Sequence, residues 1–177
     1  YYLDTGWVSS DSTIELPNSS SIWIADNNTI GVNEPVKLTW TSDQNITFEK
    51  IITLDENYLF SVDQRVINNS GLSFDLYPYG LSKRQGIPEM QNFFILHEGP
   101  LSITDGVLEE YDYDDLKDDK KIKQSSVVGW IGMTDKYWHT AIITKQKEPV
   151  QQTYSYSFVD TIGNFQTDIV VERIAVS

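Results

Sequence analysis

The stretch Ile46-Thr-Phe-Glu-Lys-Ile-Ile-Thr-Leu54 alternates apolar with other side chains, and this alternation decides the fold class. Ile46, Phe48, Ile52 and Leu54 share one face when the chain is extended, because successive side chains of a strand point to opposite sides. A period of two residues is typical of a half-buried antiparallel strand. The stretch therefore predicts β-structure with one face turned toward a core.

The same period recurs along the chain. Residues 58–67 place Tyr58, Phe60, Val62 and Val66 on one face. Further alternating runs occupy residues 72–77, 154–158 and 165–171, and the turn-forming sequences Asn68-Asn-Ser-Gly71, Asp105-Gly106 and Gly163-Asn164 lie between runs. Asp-Gly and Gly-Asn favour the positive φ angles of tight hairpins. Strands that recur about every 8–14 residues predict a sandwich or a barrel.

These strands predict one all-β domain over residues 1–177, with a minor helical part. Roughly a dozen strands exceed the seven of a small sandwich, so a large two-sheet sandwich fits better. Short helices are expected at residues 114–120 and 91–96, and no shift in composition divides the chain.

The composition excludes several classes of function. Thirteen basic and twenty-six acidic residues give a net charge of −13 over 177 residues, which disfavours nucleic acid and anionic lipid as partners. The chain has no cysteine, which removes disulfides and thiolate metal sites. The apolar run at residues 127–133 falls far short of the roughly 20 residues of a membrane span. Because the chain starts at Tyr1 without methionine, we expect a piece of a longer protein.

The densest charge lies at residues 105–119, which contain eight carboxylates. Asp112-x-Asp114 resembles the start of a calcium loop, but Lys117 stands where the loop needs glycine, and Lys123 stands where it needs glutamate. The stretch is therefore interpreted as a solvated excursion between two strands, and no metal site is expected.

Catalytic chemistry has few candidate residues. A carboxylate paired with His97 or His139 can in principle serve acid–base catalysis, but a turn histidine and a hydrogen-bonded strand histidine are the favoured interpretation. No phosphate-cradling loop, dinucleotide fingerprint or nucleophile motif is present, so no cofactor is expected. The five tryptophans can form a sugar-stacking platform, although strand aromatics more often pack in a core.

Two segments resemble the large periplasmic domain of bacterial YidC membrane protein insertases. Tyr58-Leu-Phe-Ser-Val-Asp-Gln-Arg-Val-Ile-Asn68 is similar to a strand of that domain in its Tyr, Phe, Val and Asn positions. Val128-Gly-Trp-Ile-Gly-Met-Thr-Asp-Lys-Tyr-Trp-His-Thr-Ala-Ile-Ile143 is similar to the domain's most recognisable stretch, in which an aromatic pair follows a polar turn. The resemblance covers residues 20–177, and the Asn, Ile and Lys bias is typical of alphaproteobacterial members.

The resemblance implies a β-supersandwich similar to the galactose mutarotase fold. It implies a non-catalytic interaction domain on the periplasmic face of the inner membrane, within a multi-pass insertase. Such an insertase helps inner-membrane proteins to insert and fold, alone or with the Sec translocon. The implied partners are the Sec translocon, the SecD–SecF accessory proteins and an extended substrate peptide in a cleft. We expect a monomeric domain that contacts the membrane only through flanking spans.

The residues carried over from the family are Gly129, Trp130, Asp135, Lys136, Tyr137 and Trp138, and structural roles are expected for all of them. Gly129 is expected to permit close backbone approach, and Trp130 to anchor a sheet interface. Residues 134–136 are expected to form a polar turn. Because Tyr137 and Trp138 are adjacent in sequence, one is expected in the core and the other exposed.

Two alternatives from another class remain open. A mutarotase-like, carbohydrate-active domain needs His97 or His139 to converge with a glutamate such as Glu172. A carbohydrate- or peptide-binding module needs its aromatic side chains to be accessible on the surface.

Overall fold

The computed structural model describes residues 1–86, 97–145, 150–159 and 163–177, and the regular secondary structure of these residues is almost entirely β. The described strands are β1 (Tyr2–Val8), β2 (Ile24–Ala25), β3 (Val36–Thr41), β4 (Ile46–Leu54), β5 (Phe60–Asn68), β6 (Phe74–Gln85), β7 (Gly99–Thr104), β8 (Val107–Glu110), β9 (Lys121–Ser126), β10 (Gly129–Asp135), β11 (Trp138–Ile143), β12 (Gln152–Phe158), β13 (Asn164–Val171) and β14 (Ile174–Val176). The described helix is α1 (Tyr113–Asp119), which confirms the helix predicted at residues 114–120. The helix predicted at residues 91–96 lies outside the described residues. The all-β class with a minor helix is confirmed.

The strands form three sheets, where two were expected. One has six strands in the order β1-β6-β13-β12-β9, with β14 also pairing with β6. The second has the order β11-β10-β7-β8, and the third has the order β2-β3-β4-β5. The third sheet is separate because β2 to β5 follow one another along the chain and pair only among themselves. Every strand pair with a described register is antiparallel.

The chain divides into two compact units. Unit 1 comprises Tyr1–Thr5 and Tyr79–Glu172, and unit 2 comprises Gly6–Pro78 and Arg173–Ser177. Each unit has a hydrophobic cluster of its own.

The core of unit 1 lies between two sheets. Its buried members are Tyr113, Leu116, Ile131, Met133, Tyr154, Tyr156, Phe165 and Ile169. They come from β10 on one side and from β12 and β13 on the other, and α1 adds two of them. The faces predicted for residues 154–158 and 165–171 therefore do point into a core, as a sandwich requires.

The helix α1 gives the acidic stretch a buried side. Tyr113 and Leu116 are three residues apart, share one helix face and are almost fully buried. The carboxylates point away from the core: Asp114 pairs with Lys117 at 2.7 Å, and Asp115 accepts the backbone N–H of Asp112 at 3.2 Å. The stretch is therefore a packed helical turn with a solvated acidic side. Among the described residues, no helix is long and apolar enough to cross a membrane.

The core of unit 2 lies against one half of the third sheet. Its buried members are Trp7, Ile14, Ile46, Phe48, Phe74 and Leu76, with Trp23 and Trp40 packed against them. Three of the five tryptophans therefore pack in or against a core instead of forming a sugar platform. The start of β4 and the start of β6 face inward, as predicted.

On that face, the part of β5 nearest the β4–β5 loop is not covered. Phe60 and Val62 of β5 are exposed, although the alternation had assigned them to the same face as Val66, which packs against the core. The expected burial of Phe60 and Val62 was wrong. Alternation shows which side chains share a face of a strand, but it does not show how far along the strand that face is covered.

Candidate functional site

The hairpin of β10 and β11 contains all six residues carried over from the family. The strands pair in antiparallel register, with Trp130 opposite Ile143 and Asp135 opposite Trp138. The chain reverses over two residues, Lys136 and Tyr137. The polar turn expected at residues 134–136 therefore lies later, and Asp135 is the last residue of β10.

Two glycines let β10 approach its neighbours closely. A Cβ atom at Gly129 would lie 2.1 Å from the carbonyl oxygen of Ile103 in β7. A Cβ atom at Gly132 would lie 1.8 Å from the carbonyl oxygen of Thr140 in β11. Both distances are far below van der Waals contact, so each position excludes a side chain. The close approach expected at Gly129 is present, and Gly132 adds a second one.

Trp130 lies on the side of β10 that faces away from the core. Ile131 and Met133 are fully buried in the unit 1 core, and strand alternation turns Trp130 to the opposite face. There the half-buried indole meets the ring of His139 edge-on, with 5.6 Å between ring centroids. Trp130 thus packs on the outer face of the hairpin and not within the buried cluster.

Tyr137 and Trp138 form an exposed aromatic pair at the hairpin tip. Tyr137 is 80% exposed and Trp138 is 70% exposed, so the prediction that one of them is in the core was wrong. Tyr137 is a turn residue, and Lys136 Nζ lies 5.1 Å from its ring centroid. Trp138 is the first residue of β11, beyond the edge of the core.

Asp135 is the centre of a polar network in unit 1. Arg84 Nε donates to Asp135 Oδ2 at 2.9 Å, and the two side chains are only 12% and 11% exposed. The Tyr113 hydroxyl donates to Asp135 Oδ1 at 3.0 Å. Arg84 also donates to the Tyr1 hydroxyl at 3.1 Å and to the Gly86 carbonyl. Both oxygens of the carboxylate are therefore occupied by donors.

The network connects four segments of the chain that are distant in sequence. The Arg84 guanidinium carbon lies 5.5 Å from the ring centroid of Tyr1 and 5.6 Å from that of Tyr113. The arginine is thus held by an ion pair and by two aromatic faces. The sequence analysis placed Asp135 in a turn and missed the three other residues of the network, Tyr1, Arg84 and Tyr113, because no local pattern relates residues so far apart along the chain.

Burial raises the pKa of several tyrosines in unit 1. Burial, more than the neighbouring Asp135, raises the pKa of Tyr1 to about 12. Burial likewise raises the pKa of Tyr113 and that of Tyr156, whose hydroxyl donates to Ser102. Burial, together with the nearby Asp4, raises the pKa of Tyr79 to about 12. These hydroxyls stay protonated in the folded chain at a pH where exposed tyrosines ionise.

We expect the protein to lose stability as the pH rises above about 10. Tyrosines in the unfolded chain release their protons near that pH, whereas Tyr113 and Tyr156 keep theirs in the folded state. Above that pH the folded state therefore binds more protons than the unfolded state. The free energy of unfolding therefore falls with pH, by up to about 1.4 kcal/mol per pH unit for each of the two tyrosines. Urea denaturation from pH 8 upward measures the slope.

Two phenylalanine variants separate the buried tyrosines from the exposed ones. Tyr156→Phe removes one of the buried hydroxyls and is expected to make the alkaline slope shallower. Tyr137→Phe changes an exposed tyrosine and is expected to leave the slope unchanged. Equal slopes in the two variants would contradict the assignment to burial.

The histidines do not assemble an acid–base pair with Glu172. His97 Nδ1 lies 3.8 Å from Asp112 Oδ1, and its Nε2 lies 3.2 Å from the Pro100 carbonyl oxygen. His139 is exposed and packs against Trp130. In the part of the chain that the structure describes, no group of three or more His, Asp or Glu side chains is placed to hold a metal ion.

Comparisons with a family model and with individual proteins point to the same family. The sequence model of the YidC periplasmic domain matches residues 1–177. A protein named membrane protein insertase YidC from Pelagibacter ubique is 42% identical over 157 residues, which are 88% of this chain and 28% of the relative. Proteins of the same name from Rickettsia bellii and Rickettsia canadensis are each 38% identical over 171 residues, which are 96% of this chain and 31% and 30% of those relatives.

The chain thus spans about three tenths of the length of these relatives. All three come from alphaproteobacteria, in agreement with the compositional bias. The match extends to both ends of the chain and includes the hairpin of β10 and β11. This chain belongs to the YidC periplasmic domain family.

Proposed function

We propose that this chain is a non-catalytic interaction domain of a YidC-type insertase, on the periplasmic face of the inner membrane. The observation that carries the proposal is the family match over all 177 residues, combined with relatives that are named as membrane protein insertases. The site geometry agrees with this. In the hairpin of β10 and β11, Asp135 is shielded from water and pairs with Arg84 and Tyr113, and the tip exposes the aromatic side chains of Tyr137 and Trp138.

The proposed partners are those that the family resemblance implies. They are the Sec translocon and the SecD–SecF accessory proteins, with an extended substrate peptide as a further ligand. We propose that the 177 residues act as one monomeric domain, with a fold similar to galactose mutarotase, and contact the membrane only through flanking spans. A groove of about 360 Å³ in unit 2 is a candidate for the peptide cleft, lined by Trp7, Gln64, Val66, Leu76, Pro78 and the C-terminal strand.

Co-purification tests the proposed partners. The full-length insertase that contains this chain is affinity-tagged, and a second version carries a Gly/Ser linker in place of residues 1–177. We expect SecD and SecF to co-purify with the intact protein and to be lost from the linker version, with both versions at equal levels in the membrane. Equal recovery of SecD and SecF with both versions would contradict the proposal. Interconversion of sugar anomers by the isolated chain, above the buffer rate, would contradict its non-catalytic part.

A further inference from the structure

The hairpin of β4 and β5 ends in a surface of exposed apolar side chains in unit 2. We call it the Tyr58 surface, and its members are Val32, Tyr58, Leu59, Phe60 and Val62, together with the half-buried Leu54. Tyr58 is 77% exposed, Leu59 60% and Phe60 59%, while Val32 and Val62 are 44% and 37% exposed. Contiguous exposed apolar groups of this kind mark interaction sites on soluble domains. No residue of the Tyr58 surface belongs to the unit 2 core cluster.

The strand register makes the surface continuous. Leu54 lies directly opposite Phe60, and Ile52 lies opposite Val62, all on one face of the sheet. Val32 joins the edge of this group through a bridge to Leu54. Val32, Leu54, Phe60 and Val62 are therefore neighbours on a regular β-surface. Tyr58 and Leu59 belong to the loop that joins β4 to β5, at the end of this surface.

The loop between β4 and β5 holds Tyr58 in an unfavourable backbone conformation. Asp55 Oδ1 accepts the backbone N–H groups of Asn57 at 2.8 Å and Leu59 at 2.9 Å, which fixes the loop. Tyr58 has φ +62°, in the left-handed region that disfavours bulky side chains. Glycine would fit the turn better, so a strained and exposed tyrosine at this point suggests a role for its side chain.

The charge around the surface has one sign. The segments that form it, residues 31–36 and 52–62, contain Glu34, Asp55 and Glu56 and no lysine or arginine. Lys50 is the one cation on this face of β3, β4 and β5, and its Nζ lies 5.1 Å from the ring centroid of Trp23. The apolar surface is therefore bordered by carboxylates, which favour a cationic partner.

We propose that the Tyr58 surface docks an extended polypeptide segment whose apolar side chains are flanked by lysine or arginine. The carboxylates at the border disfavour anionic lipid, and they disfavour a second copy of this chain, which would bring the same carboxylates and a net charge of −13. The inference rests on the peptide-binding part of the proposed function and adds its location and chemistry. It is independent of the Sec partners.

The shape of the surface explains why the ligand is extended. Phe60, Val62, Gln64 and Val66 alternate along one face of β5, and the last two line the groove of unit 2. From Phe60 to Val66 this strip is about 20 Å long, since each strand residue advances about 3.3 Å. A strip of this length suits alternate side chains of a strand-like peptide better than it suits a compact ligand.

Binding of designed peptides to the 177-residue chain tests the proposal. The probes are fluorescein-labelled peptides of about 10 residues that alternate Leu or Phe with Ser. One carries Lys at both ends, one carries Glu at both ends, and one carries Lys with all apolar residues replaced by Ser. Fluorescence anisotropy at low salt is expected to show binding of the first peptide, at least about tenfold tighter than either of the others. Raising the salt from about 0.05 M to about 0.5 M is expected to weaken this binding.

Variants locate the site. Tyr58→Gly with Phe60→Ser is expected to weaken binding of the Lys peptide at least about tenfold, while thermal melting shows a folded chain. Tyr137→Ser with Trp138→Ser removes an equally exposed aromatic pair in unit 1 and is expected to leave binding unchanged. Glu34→Lys with Glu56→Lys keeps the apolar surface and is expected to shift the preference toward the Glu peptide.

Several results would overturn the proposal. They are equal binding of the Lys and Glu peptides, loss of binding in the Tyr137/Trp138 variant but not in the Tyr58/Phe60 variant, and an unchanged preference in the charge-reversed variant. Self-association that disappears in the Tyr58/Phe60 variant, measured by sedimentation, would assign the surface to a second copy of the chain. Flotation with vesicles that depends on the same residues would assign it to lipid. If SecD and SecF failed to co-purify with the intact insertase but the Lys peptide still bound, only the Sec part of the proposed function would be contradicted.

Discussion

Asp135→Ala is expected to lower the free energy of unfolding by about 3 kcal/mol. The substitution leaves the guanidinium of Arg84 in a site that is nearly closed to water, without its counter-ion. It also removes the acceptor of the buried Tyr113 hydroxyl. Removing one member of a buried pair is costly because the remaining charge is desolvated and unpaired. Urea denaturation at neutral pH measures the change.

Asp114→Asn is a matched control for this prediction. Asp114 also accepts from a cation, Lys117, at the short distance of 2.7 Å, but both side chains lie at the surface. Water screens an exposed pair, so we expect a change below about 1 kcal/mol. Replacing both members of the buried pair, in Arg84→Met with Asp135→Leu, is expected to cost less than the sum of the single changes. A loss in Asp135→Ala no larger than in Asp114→Asn would show that the network does not stabilise the fold.

The sequence predicted those parts of the fold that depend on local pattern. Alternation identified the inward faces of β12 and β13 because a half-buried strand must repeat every two residues. Tyr113 and Leu116 lie at helical spacing within the acidic stretch, and that spacing is the signal for their burial. The short helix was predicted, but its packing into the core was missed because the charge of the stretch dominated the interpretation.

The remaining features depend on contacts that no local pattern encodes. The Asp135 network joins residues 84, 113 and 135, which come together only when three separate elements fold. The exposure of Phe60 depends on how far the unit 2 core extends along β5, and the exposure of Tyr137 depends on the position of the turn. Of the residues carried over from the family, Gly129 was predicted with the right physical reason. Gly132 was missed, although a glycine inside an apolar strand is itself a signal of close backbone approach.

Gly132→Ala is the second change with a large expected effect, a loss of about 3 kcal/mol in the free energy of unfolding. The added methyl would lie 1.8 Å from the carbonyl oxygen of Thr140 and 2.9 Å from its carbonyl carbon. These are backbone atoms and cannot rotate away, so β11 must separate from β10. β10 cannot yield in turn, because Ile131 and Met133 on either side of the glycine are fixed in the unit 1 core.

Gly80→Ala is the matched control, because Gly80 also lies within a strand of unit 1. A Cβ atom there would meet only the Cγ2 methyl of Ile142, at 3.0 Å, and a side-chain methyl can move aside. The expected change is within about 1 kcal/mol, since alanine also lowers the conformational entropy of the unfolded chain. Urea denaturation compares the two variants. If Gly132→Ala proved as stable as Gly80→Ala, the close approach of β10 and β11 would not be a requirement of the fold.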